Sequence, residues 1–185
     1  MGLGKAESQG KMLLGGEAKI VDLDTFTTLE PGKRGEIWCR GPMMFDGYWR
    51  NPEATKGAIQ DGWYRTGDVG YVDDEGFVYV VDRCKDMIIS GGENIYPAEL
   101  EAAIRTLSQV AEVAVVGRPD DCWGEVPVAF VVAKPGLALT AETVIQVCRE
   151  KLANYKVVKE VHFIEALPRS AVGKILKRLL VAQPA

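Results

Sequence analysis

Four turn signals cut the first half of the chain into short runs, and that punctuation limits its fold more than any other feature. Glu30-Pro31-Gly32, Asn51-Pro52, Asp61-Gly62 and Asp73-Asp74-Glu75-Gly76 combine residues that pre-set φ with residues that tolerate turns. Between them lie Glu17-Ala18-Lys19-Ile20-Val21-Asp22, Gly35-Glu36-Ile37-Trp38-Cys39-Arg40 and Gly76-Phe77-Val78-Tyr79-Val80-Val81, runs of β-forming composition. The last turn is predicted to close a hairpin between Gly70-Tyr71-Val72 and residues 77–81.

The second half alternates helix with strand. Pro97 suits a first helical position, and Glu99 and Glu101 fall in the first turn, where the helix dipole favours acids. Leu100, Ala103, Ile104 and Leu107 then recur at i, i+3, i+4 and i+7 as one apolar stripe. Residues 113–117 and 126–133 are apolar runs of strand length. Thr140 can cap a second helix whose Val144, Val147, Cys148 and Leu152 share a face. A strand at residues 161–164 and a final helix from about Gly173 complete the chain. The class is therefore α+β, a β-rich part (1–82) followed by a compact α/β part (83–185). The boundary is placed at Asp82-Arg83-Cys84-Lys85-Asp86. Charge divides at the same point: residues 1–82 carry 9 basic and 14 acidic side chains, residues 83–185 carry 13 and 12. No internal repeat or low-complexity segment is visible.

Composition removes several classes of function. At 185 residues the chain has room for one medium domain or two small ones. No apolar run approaches the roughly 20 residues of a membrane span, and Met1-Gly2-Leu3-Gly4-Lys5 has no apolar leader core. A net charge of −4 argues against a general nucleic-acid binder. Cys39, Cys84, Cys122 and Cys148 contain no Cys-x-x-Cys pair, so reduced thiols in a cytoplasmic protein are expected rather than a zinc site or disulfides. His162, the single histidine, sits in the alternating run Glu160-Val161-His162-Phe163-Ile164 and reads as a strand position, not a catalytic base.

Three segments could carry chemistry. In Gly62-Trp63-Tyr64-Arg65-Thr66-Gly67-Asp68, a carboxylate on a tight glycine turn is a rigid double acceptor suited to the two hydroxyls of a ribose. The same turn also reads as a surface feature whose Asp68 bonds only its own backbone. Residues 82–97 place dense charge before Gly91-Gly92 and then a helix. That reads either as a flexible joint whose bare backbone admits a ligand, or as an exposed loop with local ion pairs. In residues 167–178, Lys174, Lys177 and Arg178 fall at i, i+3 and i+4 on one helical face, which on its own is a solvated basic surface. This is not a Walker loop, because Pro168 replaces its first glycine and Ile175 its Ser/Thr.

Taken together, the order and spacing of these segments resemble the C-terminal portion of adenylate-forming enzymes: acyl-CoA synthetases, peptide-synthetase adenylation domains and firefly-type luciferases. Residues 64–68, 82–101 and 168–174 carry the resemblance. It is supported by Gly35-Glu36-Ile37-Trp38, Gly47-Tyr48-Trp49, residues 117–125 and Tyr155-Lys156, and it runs from about residue 11 to the end. Ile89-Ser90-Gly91-Gly92-Glu93-Asn94-Ile95-Tyr96-Pro97 is similar to the acid–CoA ligase version.

The resemblance implies an ATP-dependent ligase that activates a carboxylic acid as its acyl-adenylate and passes the acyl group to CoA. It places the enzyme near fatty acid metabolism but leaves fatty, aryl and short-chain acids all open as the substrate. It implies that Asp68 and Arg83 bind the ribose hydroxyls and that Lys85 is a hinge. Gly91 and Gly92 would line the pantetheine tunnel, and Lys174 would reach the carboxylate and α-phosphate. Residues 1–82 would then be the remnant of an N-terminal AMP-binding domain, and residues 83–185 its mobile lid. No phosphate-binding loop, no segment for adenine and Mg2+, and no acyl pocket is found in the chain, so Mg2+ ligands are expected outside it. The chain alone is accordingly expected to turn over little or no substrate. An exposed apolar patch on the β part, with self-association through it, is also expected. A non-catalytic nucleotide- or CoA-binding module and a partner subunit of a split enzyme are the competing functions.

Overall fold

The computed structural model describes residue 5 and residues 7–182. The reading of Met1-Gly2-Leu3-Gly4 lies outside the described residues. The chain forms two compact units, residues 1–85 and 86–185, dividing between Lys85 and Asp86. The α+β class expected for the chain holds, with a β-rich first unit and a mixed second unit.

The first unit is a five-stranded antiparallel sheet. β1 (Glu17–Val21) pairs with β2 (Gly35–Arg40), and β2 pairs with β4 (Trp63–Val72). The far edge of β4 is shared by β3 (Ile59–Gln60) near its start and β5 (Val78–Arg83) near its end. The hairpin expected around Asp73-Asp74-Glu75-Gly76 is present, with the Asp73 carboxylate accepting from the Glu75 and Phe77 amides at 3.0 and 2.9 Å. Ile20, Ile37 and Val78 form the buried cluster on one face of the sheet. Phe45 packs edge-on against Tyr48 and Tyr64, with ring centroids 5.2 and 5.1 Å away, tying the loop after β2 to the start of β4.

Asn51-Pro52 proves to be a helix start rather than a turn. α1 spans Pro52–Ala58, and the Asn51 side chain accepts from the Ala54 amide at 3.0 Å. None of its residues is buried, so it has no apolar stripe from which it could have been read.

The second unit has β9 (Gly124–Ala133) at its centre. β8 (Val110–Asp120) pairs along the whole of one edge of β9. β10 (Glu160–Phe163) and β6 (Ile88–Ser90) share the other edge, and β7 (Glu93–Ile95) lies outside β6. The β9–β10 pairing is parallel, and α3 (Ala141–Lys151) supplies the crossover such a pair requires. Thr140 caps α3 as its sequence suggests, accepting from the Thr143 amide at 3.2 Å.

α3 and α2 (Pro97–Arg105) cover one face of this sheet. There Leu100, Ile104, Val144 and Cys148 meet Val113, Val115, Ala129 and Val131. Ala114, Val116, Val128 and Phe130 point to the opposite face, where Leu167 and Leu180 cover them. Both faces of β8 and β9 are buried, which is why their sequences are continuously apolar instead of alternating.

The final helix is shorter than expected. α4 spans Lys177–Val181, and Lys174 precedes it. Gly173 adopts φ +81°, which breaks a helix. Arg169 and Ile175 form an antiparallel bridge, closed by Ser170 N donating to Lys174 O at 2.9 Å. Lys174 therefore shares no helical face with Lys177 and Arg178.

Candidate functional site

Asp68 sits within β4, not on the free turn expected for residues 62–68. Glu36 pairs with Val69 and Trp38 with Arg65, so β4 spends two extra residues against β2 and bulges at Thr66-Gly67-Asp68. Gly67 takes φ +70°, a conformation glycine adopts at no steric cost. The Thr66 hydroxyl donates to Ile37 O at 2.7 Å and accepts from the Asp68 amide at 3.1 Å. Asp68 lies opposite Arg83 of β5, and Arg83 Nε meets Asp68 Oδ1 at 2.7 Å. Both side chains keep solvent access, at 26% for Asp68 and 56% for Arg83. The result is an acceptor and a donor fork side by side on a strand pair, groups whose chemistry can meet neighbouring hydroxyls.

Directly after β5, Cys84–Asp86 form a single 3₁₀ turn in which Lys85 is exposed. The Cys84 thiol is pushed up to about 11, by burial first and then by the carboxylates of Glu36 and Asp68. It is a protonated packing group, not a nucleophile.

In the second unit, Gly91 and Gly92 are the two-residue loop of the β6–β7 hairpin, at φ +59° and +83°. Positive φ at both positions is the requirement of a type I′ turn, so this pair is a tight reversal rather than the flexible joint anticipated. The Gly91 amide donates to Trp123 O at 2.8 Å, and a Cβ on Gly91 would lie 2.8 Å from the Trp123 ring.

Lys174 stands at the end of the turn closed by the Arg169–Ile175 bridge. Arg169 braces that turn by donating to Gly173 O at 2.6 Å and to Glu112 at 2.7 Å. Lys177, three residues further on at the start of α4, is paired to Glu101 at 2.8 Å. Among the described residues no carboxylate pairs with the Lys174 ammonium, which is exposed.

Two site residues escaped the sequence reading. Glu36 was seen only as part of a familiar stretch, yet it is a buried carboxylate beneath the Asp68 bulge, 4% exposed. Glu101 was read as a first-turn acid, yet it is a buried acceptor for Lys177, Arg105 and the Val115 amide. The available signal was a charged residue at a strand or helix position whose neighbours are otherwise apolar. Among the described residues, no group of three or more His, Cys, Asp or Glu side chains is placed to hold a metal, and no helix is long and apolar enough to cross a membrane.

This architecture belongs to a class of nucleotide-using enzymes. A profile described as the AMP-binding enzyme C-terminal domain matches residues 99–174, and one described as AMP-binding enzyme matches residues 3–49. The chain belongs to this adenylate-forming, AMP-binding family and corresponds to its C-terminal portion.

Among its relatives, 2-succinylbenzoate–CoA ligase of Bacillus licheniformis is 46% identical over 95% of this chain and 36% of its own length. Long-chain-fatty-acid–CoA ligase FadD13 of Mycobacterium tuberculosis is 49% identical over 80% of this chain and 29% of its own. The structure of o-succinylbenzoate CoA synthetase (MenE) from Bacillus subtilis, in complex with the acyl-adenylate intermediate OSB-AMP, matches with a TM-score of 0.89 at 40% identity. That match covers 97% of this chain and 36% of the other. The chain thus spans about a third of the length of these relatives.

Proposed function

We propose that this chain is the ribose-gripping and lid portion of an ATP-dependent acid–CoA ligase. A carboxylate oxygen attacks the α-phosphorus of ATP and pyrophosphate leaves. The CoA thiol then attacks the acyl carbonyl and AMP leaves, forming the carbon–sulfur bond. Asp68 and Arg83 hold the ribose, Lys85 is the hinge, Gly91 and Gly92 leave room for the pantetheine arm, and Lys174 serves adenylation. Mg2+ accompanies ATP, with its ligands outside these residues.

The observation that carries this reading is the state of Lys174. Its neighbours Arg169 and Lys177 are neutralised by Glu112 and Glu101, while among the described residues no carboxylate pairs with its own ammonium, which rides on a braced turn. Adenylation drives a carboxylate against a phosphate, and a pre-placed unpaired cation offsets that repulsion. At about 4 Å and an effective dielectric near 20, the attraction is on the order of 4 kcal/mol before desolvation. Thiol attack then needs the lysine out of the way, which a turn about Lys85 would accomplish.

The acid is not read by this portion. Ligases named for 2-succinylbenzoate and for long-chain fatty acids are 46% and 49% identical to it, so the choice of acid, fatty or aryl, belongs elsewhere. Four free cysteines fit a reducing compartment, and we place the enzyme in the cytoplasm. Leu13, Leu14, Phe26 and Trp49 are exposed on the first unit, and self-association through them is part of the proposal.

Comparing the two half-reactions tests this reading. In the ligase containing this chain, Lys174→Ala slows acid-dependent ATP–pyrophosphate exchange by roughly 10²–10³, the loss expected for one electrostatic donor. Thioester formation from supplied acyl-adenylate changes little. Equal losses in both steps would reject the assignment. The 185-residue chain alone releases negligible pyrophosphate, and robust acid-dependent release would overturn that part.

A further inference from the structure

Among the described residues of the first unit, Glu36 is the one charged side chain that is buried. Burying a carboxylate is costly unless its oxygens are hydrogen-bonded, and each Glu36 oxygen has a separate task. Oε2 accepts from Trp38 Nε1 at 2.9 Å and from Arg65 Nε and Nη2 at 3.1 and 3.0 Å. Oε1 accepts from the Gly67 amide at 3.2 Å. Gly67 is the left-handed residue of the bulge and directly precedes Asp68. The bulge breaks the β2–β4 ladder here, so the Gly67 amide is paired by a β2 side chain instead of a β2 carbonyl.

We infer that Glu36 is the positioning residue for Asp68: its carboxylate clamps Gly67 and so fixes the direction from which Asp68, beside Arg83, meets a nucleotide sugar. The inference rests on the reading of Asp68 as a ribose ligand and deepens it. Trp38 and Arg65 hold the carboxylate from one side, leaving Oε1 as the only oxygen that faces the bulge. Thr66 supplies a second, weaker tie through its hydroxyl. Arg65 enters as the counter-charge of Glu36.

The 185-residue chain suffices for the test, using amide exchange by NMR and chemical-shift titration with AMP. Glu36→Gln keeps the volume but cannot offer an acceptor oxygen to both Arg65 and Gly67. Exchange at the Gly67 amide should accelerate roughly ten- to a hundredfold, the loss of one hydrogen bond to a charged acceptor. Exchange in the β1–β2 pairs should be unchanged, and the AMP dissociation constant should rise about tenfold. Because Glu36 acts through Asp68, the double variant Glu36→Gln/Asp68→Asn should bind AMP no more weakly than Asp68→Asn. Losses that multiply in the double variant, or unchanged Gly67 exchange, would overturn the inference.

If Glu36→Gln fails to give a folded spectrum, Glu36→Asp decides. It keeps a carboxylate beside Arg65 but is one methylene too short to reach the Gly67 amide, and unchanged AMP affinity with accelerated Gly67 exchange in that variant would sink the positioning role. A wild-type chain that gives no AMP titration overturns the ribose reading itself. Intact AMP affinity despite faster Gly67 exchange overturns the role of Glu36 alone.

Discussion

Asp68 and Arg83 face each other across the β4–β5 ladder, and their side chains meet at 2.7 Å while both remain open to solvent. An exposed ion pair contributes roughly 0–1 kcal/mol to stability, so this one is poorly explained as a fold-stabilising contact. Asp68→Asn and Arg83→Ala are therefore expected to lower unfolding free energy by less than about 1 kcal/mol. Each should weaken AMP binding by about tenfold or more, the cost of one charge-assisted hydrogen bond. Calorimetry of unfolding and of AMP binding on the same samples checks both. A large stability loss with unchanged affinity would make the pair structural.

The two glycines of the β6–β7 turn should behave differently despite their adjacency. Both have positive φ, where a Cβ costs about 1–2 kcal/mol. At Gly92 an added Cβ meets nothing within 4 Å, so Gly92→Ala should cost only that backbone strain. At Gly91 it would lie 2.8 Å from Trp123 Cε3, so Gly91→Ala must also displace the indole. Chemical denaturation should rank Gly91→Ala as the more damaging. Trp123→Ala in the Gly91→Ala background should recover the difference between them.

What could be read from the chain before folding follows physical range. The β4–β5 hairpin, α2 and α3 were legible because their signals are local: an acidic glycine turn, Pro97 at a helix start, the Thr140 cap and clean apolar stripes. The stretch around Lys174 was misread because the spacing of Lys174, Lys177 and Arg178 mimics a helix. What stops that helix is Gly173 held at positive φ by the Arg169–Ile175 bridge. Glu36 was invisible as a site residue because its partners Arg65 and Gly67 lie 29 and 31 positions away. Asp68 and Arg83 were named together through family resemblance, since no spacing rule pairs residues across a bulged ladder.

The thiols give a pH-dependent reading of the site. Burial and the carboxylates of Glu36 and Asp68 push Cys84 up to about 11, whereas Cys122 is exposed in the β8–β9 connection. At pH 8 an iodoacetamide time course should alkylate Cys122 first. Cys84 should lag by tenfold or more, because only its scarce thiolate reacts. Burial also raises Cys39 and Cys148, which should be slow as well. Raising the pH towards 11 should speed Cys84 selectively. Peptide mass spectrometry resolves the order, and a Cys84 as fast as Cys122 at pH 8 would mean that its surroundings are open.

Glu101 links three elements at one buried carboxylate. Its Oε1 accepts from the Val115 amide of β8 at 3.0 Å and from Lys177 of α4 at 2.8 Å, and its Oε2 accepts from Arg105 of α2 at 3.0 Å. Leu180, fully buried, is the other anchor of α4. The two partners should not be equivalent on deletion. Lys177→Ala leaves Glu101 with Arg105 and Val115, so its cost should be about 1 kcal/mol. Glu101→Ala strands a half-buried lysine and an amide together, so a loss of about 3 kcal/mol is expected. Either change frees α4 just after Lys174, and hydrogen exchange over residues 169–182 should rise in both variants, more in Glu101→Ala. In the ligase, adenylation by Lys177→Ala should fall by less than in Lys174→Ala, because the ammonium remains and only its support is loosened. If Lys177→Ala abolished adenylation as fully as Lys174→Ala without loosening that segment, Lys177 would itself touch substrate and the division of labour between the two lysines would be wrong.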